Sequence, residues 1–251
     1  MKVFLTGASS GIGEALARHY ASRGATLGLV ARRGDLLRTL RDSLGVPAEI
    51  FAADVRDNAA LKAAGDEFMA RHGVPDVVIA NAGVSYGTLT EIARDSASFR
   101  DILDVNVVGL VNTFHPFVEP MRARGGGTLA GIASVAGFRG LPGSSGYSAS
   151  KAAAIAYLEA LRLEMRASGV KVSTVCPGFI ATPMTAKNPY PMPFIIDAGD
   201  AARRIARAID AGNSFAVVPW QMAIVGRILR VLPNALYDRM FARAGRKPRR
   251  D

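Results

Sequence analysis

Residues 3–13 read VFLTGASSGIG, a short apolar run that passes directly into a turn with three glycines. The run is typical of a buried strand, and residues 11–23 are predicted to form a helix. Glycines let a ligand approach the backbone closely, and a helix N-terminus presents free N–H groups to an anion. The stretch therefore predicts a pyrophosphate-binding turn, with a plain structural turn as the alternative.

The rest of the chain repeats the alternation of strand and helix. Strands are predicted at residues 3–5, 26–31, 49–53, 77–80, 128–133 and 170–175. Helices are predicted at residues 11–23, 35–44, 59–72, 99–124 and 147–168. Pro116 and Pro120 can interrupt the fourth helix. This order predicts an α/β fold with a single domain, in which a doubly wound parallel sheet (a Rossmann fold) carries helices on both faces.

The end of the second predicted strand bears on the choice of nucleotide. It reads Ala31-Arg32-Arg33. An acidic residue here would bind the ribose 2′-hydroxyl of NAD, whereas arginine pairs with the 2′-phosphate of NADP. The pattern favours NADP(H) over NAD(H), and two solvated arginines at the start of a helix are the alternative.

Polar and small residues also follow the third and fourth strands. Asp54 and Val55 follow the third, where a carboxylate can accept from the adenine amino group or can cap a helix. Asn81, Ala82 and Gly83 follow the fourth, and their small size lets the backbone lie against a cofactor. The carboxyl ends of the strands are where doubly wound sheets bind ligands.

Three further residues suggest proton-transfer chemistry. Tyr147 and Lys151 are four positions apart on a predicted helix and therefore share one face. A nearby ammonium group lowers the pKa of a phenol, which suits it to exchange a proton with a carbonyl oxygen. Ser134 ends the preceding strand and can hold that oxygen. An ordinary pair on a helix surface is the alternative for Tyr147 and Lys151.

Taken in order, these features resemble the short-chain dehydrogenase/reductase family, in its shorter branch, over residues 3 to about 218. The matching positions are residues 6–13, Asp54, residues 81–83, Asn106, Ser134, Tyr147, Lys151, Pro177, Gly178 and Thr182. One departure is Ala80, where the family often has an asparagine before Asn81.

The resemblance implies a role for each catalytic residue. Tyr147 would be the acid/base, and Lys151 would lower its pKa and hold the nicotinamide ribose. Ser134 would orient the substrate, and Asn106 would hold a water that links Lys151 to solvent. Ile180 and Thr182 would fix the carboxamide. The full set of expected cofactor-binding residues is Gly7, Ser9, Ser10, Gly11, Ile12, Gly13, Arg32, Arg33, Asp54, Val55, Asn81, Ala82, Gly83, Tyr147, Lys151, Pro177, Gly178, Ile180 and Thr182.

Composition and charge narrow the class of protein. The net charge of +10 lies mostly in residues 203–251, where 11 Arg or Lys face three Asp. The body lacks a basic face of the kind that nucleic-acid binding requires, so no nucleic-acid partner is expected. The three histidines have no metal-ligand spacing, and no metal is expected. One cysteine, no signal peptide and no long apolar run favour a cytoplasmic protein, and the excess of arginine over lysine favours a bacterial one.

Two C-terminal segments concern substrate and partners. Residues 183–200 are predicted to form a substrate lid whose Met, Tyr and Phe side chains favour an apolar alcohol or ketone. Residues 219–251 form an apolar and basic extension after the catalytic domain, residues 1–218. It suits an interfacial helix on the inner membrane surface, or a tail packed over the active site or across a dimer. The resemblance also implies a homodimer or homotetramer built on helices 99–124 and 147–168.

The sequence thus predicts an NADP(H)-dependent oxidoreductase that interconverts a carbonyl and a secondary alcohol. The alternative from another class is a catalytically silent regulator that senses a dinucleotide. Such a protein should lack the tyrosine or the lysine, yet Ser134, Tyr147, Lys151 and Asn106 are all present.

Overall fold

A parallel sheet organises the structure, a computed structural model that describes residues 1–242 and 244–249. Its strands are β1 (Lys2–Thr6), β2 (Thr26–Ala31), β3 (Ala48–Ala52), β4 (Val77–Ala80), β5 (Gly127–Ile132), β6 (Val170–Pro177) and β9 (Phe215–Val218). Their order is β3-β2-β1-β4-β5-β6-β9, and every neighbouring pair is parallel. Two short strands, β7 (Ile180–Ala181) and β8 (Ile196–Asp197), pair separately. The predicted doubly wound fold is confirmed.

Helices cover both faces of this sheet. They are α1 (Gly11–Ala21), α2 (Gly34–Asp42), α3 (Asn58–His72), α4 (Asp95–Leu103), α5 (Gly109–Arg124), α6 (Ser145–Glu164), α7 (Ala198–Asp210), α8 (Gln221–Val231) and α9 (Asn234–Phe241). Consecutive residues of β1 show why both faces are covered. Phe4 belongs to one buried cluster, with Phe117 of α5, and Leu5 belongs to the other, with Leu16 of α1. Side chains alternate along a strand, so a strand apolar on both sides needs a layer on each face.

The helix predicted over residues 99–124 differs from the structure in its start, in a π-helical turn and in its path through the prolines. It begins earlier, at Asp95, and contains a π-helical turn, Asp104–Val108, before α5. It also continues through Pro116 and Pro120 without a break. Pro116 is buried against α3, where a Cβ built on Gly65 would lie only 2.8 Å from the Pro116 Cβ. Close packing of α5 on α3 therefore holds the helix together despite the N–H groups that proline lacks.

Two elements near the C-terminus were not predicted. Helix α7 buries Ala201, Ile205 and Ile209, and β9 forms the sheet's edge beside β6. Helices α8 and α9 follow β9 within the extension from residue 219, and residues 244–249 come after them. The basic residues Arg243 and Arg250 of that extension lie outside the described residues.

Candidate active site

The site begins where the strand order reverses, between the neighbouring strands β1 and β4. Asn81, directly after β4, donates from its side-chain Nδ2 to the Thr6 carbonyl at 3.1 Å and to the Gly7 carbonyl at 3.3 Å. Its backbone N–H donates to the Thr6 Oγ1 at 3.2 Å. Asn81 therefore fixes the glycine turn at the position where doubly wound sheets bind ligands.

A cleft of about 640 Å³ opens at this edge of the sheet. It brings together nearly all of the predicted site residues: Gly7, Ser9, Ser10, Gly11, Ile12, Arg32, Arg33, Asp54, Val55, Asn81, Ala82, Gly83, Ser134, Tyr147, Lys151, Pro177, Gly178, Ile180 and Thr182. Gly13 and Asn106 do not line it. Gly13 packs beneath the turn, and Asn106 lies behind Gly83, where an added Cβ would be 3.2 Å from the Asn106 Oδ1.

The first turn of α1 suits an anionic ligand. Its N-cap residue, Ser10, makes no side-chain capping hydrogen bond, so the side chain leaves the first N–H groups of the helix to other acceptors. The Ser10 hydroxyl instead accepts from Arg33 Nη2 at 2.9 Å, as does that of Ser9. Free N–H groups and the helix dipole are what a pyrophosphate needs.

Two guanidinium groups border this end of the cleft. Arg33 lies against the glycine turn through its bonds to Ser9 and Ser10. Arg32 is 61% exposed, and its Nη1 lies 3.9 Å from the Asp54 Oδ2. Both therefore bring positive charge to the mouth of the cleft, where arginine can bind a phosphate in a bidentate manner.

Asp54 is engaged by a neighbour that the sequence reasoning did not consider. Arg56 donates to its carboxylate from Nη2 at 2.6 Å and from Nε at 3.1 Å. The Arg56 hydrogen bond is the main reason that the pKa of Asp54 lies below its ordinary value. Asp54 does not cap α3, because Asp57 does so through the Ala60 N–H.

The predicted catalytic residues meet beside the cleft. Tyr147 and Lys151 lie on α6, and the Lys151 Nζ is 5.8 Å from the centre of the Tyr147 ring. Lys151 is buried and donates to the Ile132 carbonyl at 2.8 Å. Ser134 follows β5, lines the same cleft as Tyr147 and donates from its hydroxyl to the Pro177 carbonyl at 3.4 Å. The three side chains thus line the same cleft.

Burial controls the protonation of both groups. It raises the pKa of Tyr147, and the nearby Ser134 hydroxyl, which favours the phenolate, only partly opposes that effect. It lowers the pKa of Lys151 to about 8. The direction for Tyr147 is opposite to the lowering that the family resemblance attributes to Lys151, because desolvation of the phenolate is the larger effect here.

Asn106 holds the site together rather than lining it. It lies in the π-helical turn, and its Nδ2 donates to the Val84 carbonyl at 3.0 Å and to the Ser150 Oγ at 2.9 Å. Its Oδ1 accepts from the Val84 N–H at 2.8 Å. Ser150 in turn donates to the Tyr147 carbonyl. The expected water between Asn106 and Lys151 stays a prediction, and the contribution of Ser150 had no sequence signal.

The C-terminal tail lies beside the same tyrosine. The Lys247 Nζ is 5.1 Å from the centre of the Tyr147 ring, and it donates to the Ser85 Oγ at 2.6 Å. Of the alternatives that the sequence leaves open for this extension, residues 244–249 adopt a position over the active site. Neither Ser85 nor Lys247 was among the predicted site residues. They are far apart in the chain and lie in irregular segments, which have no periodic sequence pattern.

The chain is similar in sequence to known proteins. A family model described as short chain dehydrogenase matches residues 1–191. An uncharacterized oxidoreductase of Myxococcus xanthus is 39% identical over 237 residues, which cover 93% of each chain.

Solved structures are similar as well. An alcohol dehydrogenase from the archaeon Thermococcus sibiricus, complexed with 5-hydroxy-NADP, is 26% identical, with a TM-score of 0.76 over 86% of this chain and 95% of the other. A 3-ketoacyl-(acyl-carrier-protein) reductase from Brucella melitensis, complexed with NADH, has a TM-score of 0.80 at 24% identity, over 86% of this chain and 96% of the other. The two complexes hold different nucleotides.

Proposed function

The chain belongs to the short-chain dehydrogenase/reductase family of oxidoreductases, and on that premise we propose that it interconverts a carbonyl and a secondary alcohol with NADP(H). The observation that carries this proposal is the meeting of Ser134, Tyr147 and Lys151 at the inner end of the nucleotide-sized cleft. A catalytically inactive regulator that senses a dinucleotide would not require Ser134, Tyr147 and Lys151 together.

In the proposed mechanism, the protein supplies the proton and the positioning. NADP(H), held by the residues that line the cleft, would supply or accept the hydride. The raised pKa of Tyr147 keeps its phenol protonated near neutral pH, so that it can donate to a carbonyl oxygen during reduction. Ser134, which lines the same cleft as that phenol, would hold the same oxygen. Lys151, buried and bound to the Ile132 carbonyl, faces the cleft where the nicotinamide ribose would lie.

The preference for NADP(H) is supported by two arginines at the opposite end of the cleft. Arg33 is held against the glycine turn by Ser9 and Ser10, and Arg32 is exposed beside it. They would bind the 2′-phosphate, whose charge the NAD nucleotide lacks. The residues expected to bind the remainder of the nucleotide are those that line the cleft.

The proposed substrate has an apolar body. Met184 lines the cleft, and Tyr190 meets Phe179 edge to face at 6.5 Å between ring centres. The segment between β7 and β8 contains Met184 and Tyr190 and would cover the substrate as a lid. We expect cyclic or aromatic ketones and secondary alcohols to fit better than small polar sugars.

The test is oxidation of NADPH by the full chain with a panel of such ketones, compared with the variants Tyr147→Phe and Tyr157→Phe. Removal of a general acid costs about 10²- to 10⁴-fold in rate. Turnover should be lost in Tyr147→Phe, with NADPH binding kept, and should be retained in Tyr157→Phe, a control on the same helix. A Tyr147→Phe variant with wild-type turnover would exclude the mechanism, and NADPH binding without turnover of any ketone would favour the regulator.

A second proposal concerns the exposed side of α8. Trp220, Ile224, Ile228 and Val231 follow one another at helical spacing and are all more than half exposed or close to it. Exposed arginines flank this apolar stripe. The protein would therefore be cytoplasmic and would bind an anionic membrane surface through the stripe. Among the described residues, no helix has the length and apolar character to cross a bilayer.

The proposed oligomer is a homodimer or homotetramer built on α4, α5 and α6. Val108, in the π-helical turn before α5, and Leu163, in α6, are exposed apolar residues, which supports an interface on these helices. The mass of the protein in solution, with a Leu163→Glu variant for comparison, tests it: a monomeric wild type would exclude the proposal.

A further inference from the structure

The tail, residues 244–249, is fastened across the substrate side of the active site. The Gly87 N–H donates to the Pro248 carbonyl at 2.7 Å, so that the tail runs beside the loop after β4. Arg249 Nε lies 3.1 and 2.9 Å from the two carboxylate oxygens of Asp95, which is only 4% exposed. A buried pair of this kind fixes the segment in place because separating it would leave a buried charge unpaired.

The tail also touches the lid and the loop before α6. A Cβ built on Gly245 would lie 3.1 Å from the Tyr190 Cβ, and one built on Gly143 would lie 2.9 Å from the Arg246 Cβ. The tail therefore forms a wall between the lid and the two loops that flank Tyr147.

Lys247 is the one charged side chain that the described part of this tail directs to Tyr147. Lys247 is half-buried, and its Nζ contacts the Ser85 hydroxyl and the Tyr147 ring. Within residues 1–242 and 244–249, no carboxylate pairs with it, and burial lowers the pKa of Lys247 to about 8. An ammonium group placed in this way costs stability, and residues 1–242 and 244–249 supply no anion for it.

Lys151 is the other ammonium group near Tyr147, and its surroundings differ from those of Lys247. Lys151 donates to the Ile132 carbonyl and lines the nucleotide cleft, while Lys247 is not among the described residues that line it. Ser85 accepts from Lys247, so its own O–H remains free to donate. An ammonium beside a hydroxyl presents donors at a spacing that suits the two oxygens of a carboxylate.

We infer that Lys247 and Ser85 form a carboxylate-binding subsite, and that the substrate is a ketone or secondary alcohol whose apolar body carries a carboxylate. This inference rests on the proposed function and specifies the substrate class of the same site. The carboxylate would bind against the tail while the reacting carbon lies next to Tyr147.

Binding of unreactive ligands tests the subsite without turnover. The probes are cyclohexanecarboxylate, benzoate and octanoate, each compared with its uncharged amide by calorimetry on the full chain, with and without NADP⁺. A hydrogen bond to a charged group corresponds to about 10- to 100-fold in affinity. We expect the wild type to prefer at least one acid over its amide by that factor. Lys247→Met should abolish the preference, and Lys247→Arg should restore part of it.

Arg246→Met is the matched control, because it removes a positive charge from the neighbouring position of the same tail. An equal loss of preference in this variant would mean that general tail charge attracts the acid, and would overturn the subsite. The absence of any acid that binds more tightly than its amide would do so as well. Tighter binding to Lys247→Met than to the wild type would overturn it too, since the side chain would then block the site.

The two proposals fail in different ways. Turnover of uncharged ketones without any acid preference would keep the oxidoreductase proposal and reject the subsite. Acid binding that depends on Lys247, in a chain that turns over no ketone, would keep the subsite and reject the reaction. Thermal unfolding of each variant confirms that a change in binding does not come from misfolding.

Discussion

Gly13 packs directly beneath Gly7: a Cβ built on Gly13 would lie 2.1 Å from the Gly7 carbonyl oxygen. Because backbone cannot move aside as a flexible side chain can, the Gly13→Ala variant must displace the turn. We expect a loss of about 1–3 kcal/mol in the free energy of unfolding, typical of overpacking, together with weaker NADPH binding. Urea unfolding measures the first, and fluorescence titration with NADPH measures the second.

Gly126→Ala serves as the control for that prediction. Nothing lies within 4 Å of a Cβ built on Gly126, and its φ is not in the left-handed region. The control should unfold as the wild type does. A Gly13→Ala variant with unchanged stability and unchanged NADPH affinity would contradict the close packing of the turn.

The arginines beside the glycine turn lead to a prediction about nucleotide preference. In Arg33→Ala, the partner proposed for the 2′-phosphate is gone, so the KM for NADPH should rise about 10- to 100-fold. The KM for NADH should change little, because that nucleotide has no such phosphate. Steady-state kinetics with both nucleotides measures the ratio, and Arg41→Ala, which changes a partly exposed arginine at the end of α2, is the control. Equal losses for the two nucleotides would assign Arg33 a structural role only.

Burial of Lys151 predicts a pH-dependent contribution to stability. Its pKa falls from an ordinary 10.5 to about 8 in the folded chain. Below pH 8 the folded state therefore bears the full cost of the buried charge. Between pH 8 and 10.5 the folded state releases this proton before the unfolded state does, so the cost disappears as pH rises.

Lys151→Met isolates that effect. The variant should gain stability relative to the wild type near pH 7, and this gain should shrink by up to about 3 kcal/mol at pH 10.5. Other titrating groups are common to both proteins and cancel in the difference. Urea unfolding of the two proteins at pH 7 and pH 10 gives the measurement, and a difference that is the same at both pH values would contradict the lowered pKa.

The apolar stripe on α8 predicts membrane binding that depends on charge and on its isoleucines. The full chain should float with vesicles that contain anionic lipid, and less so at high salt, because screening weakens the attraction of Arg227 and Arg230. Ile228→Glu should abolish flotation. Leu36→Glu, which changes an exposed leucine on α2, should not. Flotation of neither wild type nor control would remove this proposal.

Much of the fold could be predicted because the sequence patterns that indicate its strands and helices are local. Apolar runs such as those in β1 and β4 are bounded by glycine, aspartate or asparagine, and the alternation with helices leaves few topologies open. Helix α7 was missed although Ala201, Ile205 and Ile209 repeat at helical spacing. Its arginines lie on the exposed face of a strongly amphipathic helix, and they separate the apolar residues in the sequence.

Other features depend on tertiary contacts that no short stretch contains. The unbroken path of α5 depends on the fit of Pro116 against Gly65, which lies on another helix. The pKa of Tyr147 depends on how deeply the fold buries its hydroxyl, and the residue spacing that identifies Tyr147 and Lys151 carries no information on burial. For the same reason Lys247, about a hundred positions from Tyr147 in the chain, could not be placed beside it from the sequence.

The anchoring of Arg249 to Asp95 has a practical consequence for anyone who produces this protein. An affinity tag fused after Asp251 would be attached two residues from Arg249 and could disturb its contact with Asp95. A tag fused before Met1 would be attached at the start of β1 instead. Partial proteolysis of the last few residues would be harder to notice. Under the subsite proposal, such material would have lost Lys247, and assays on it would give a substrate preference that differs from that of the full chain.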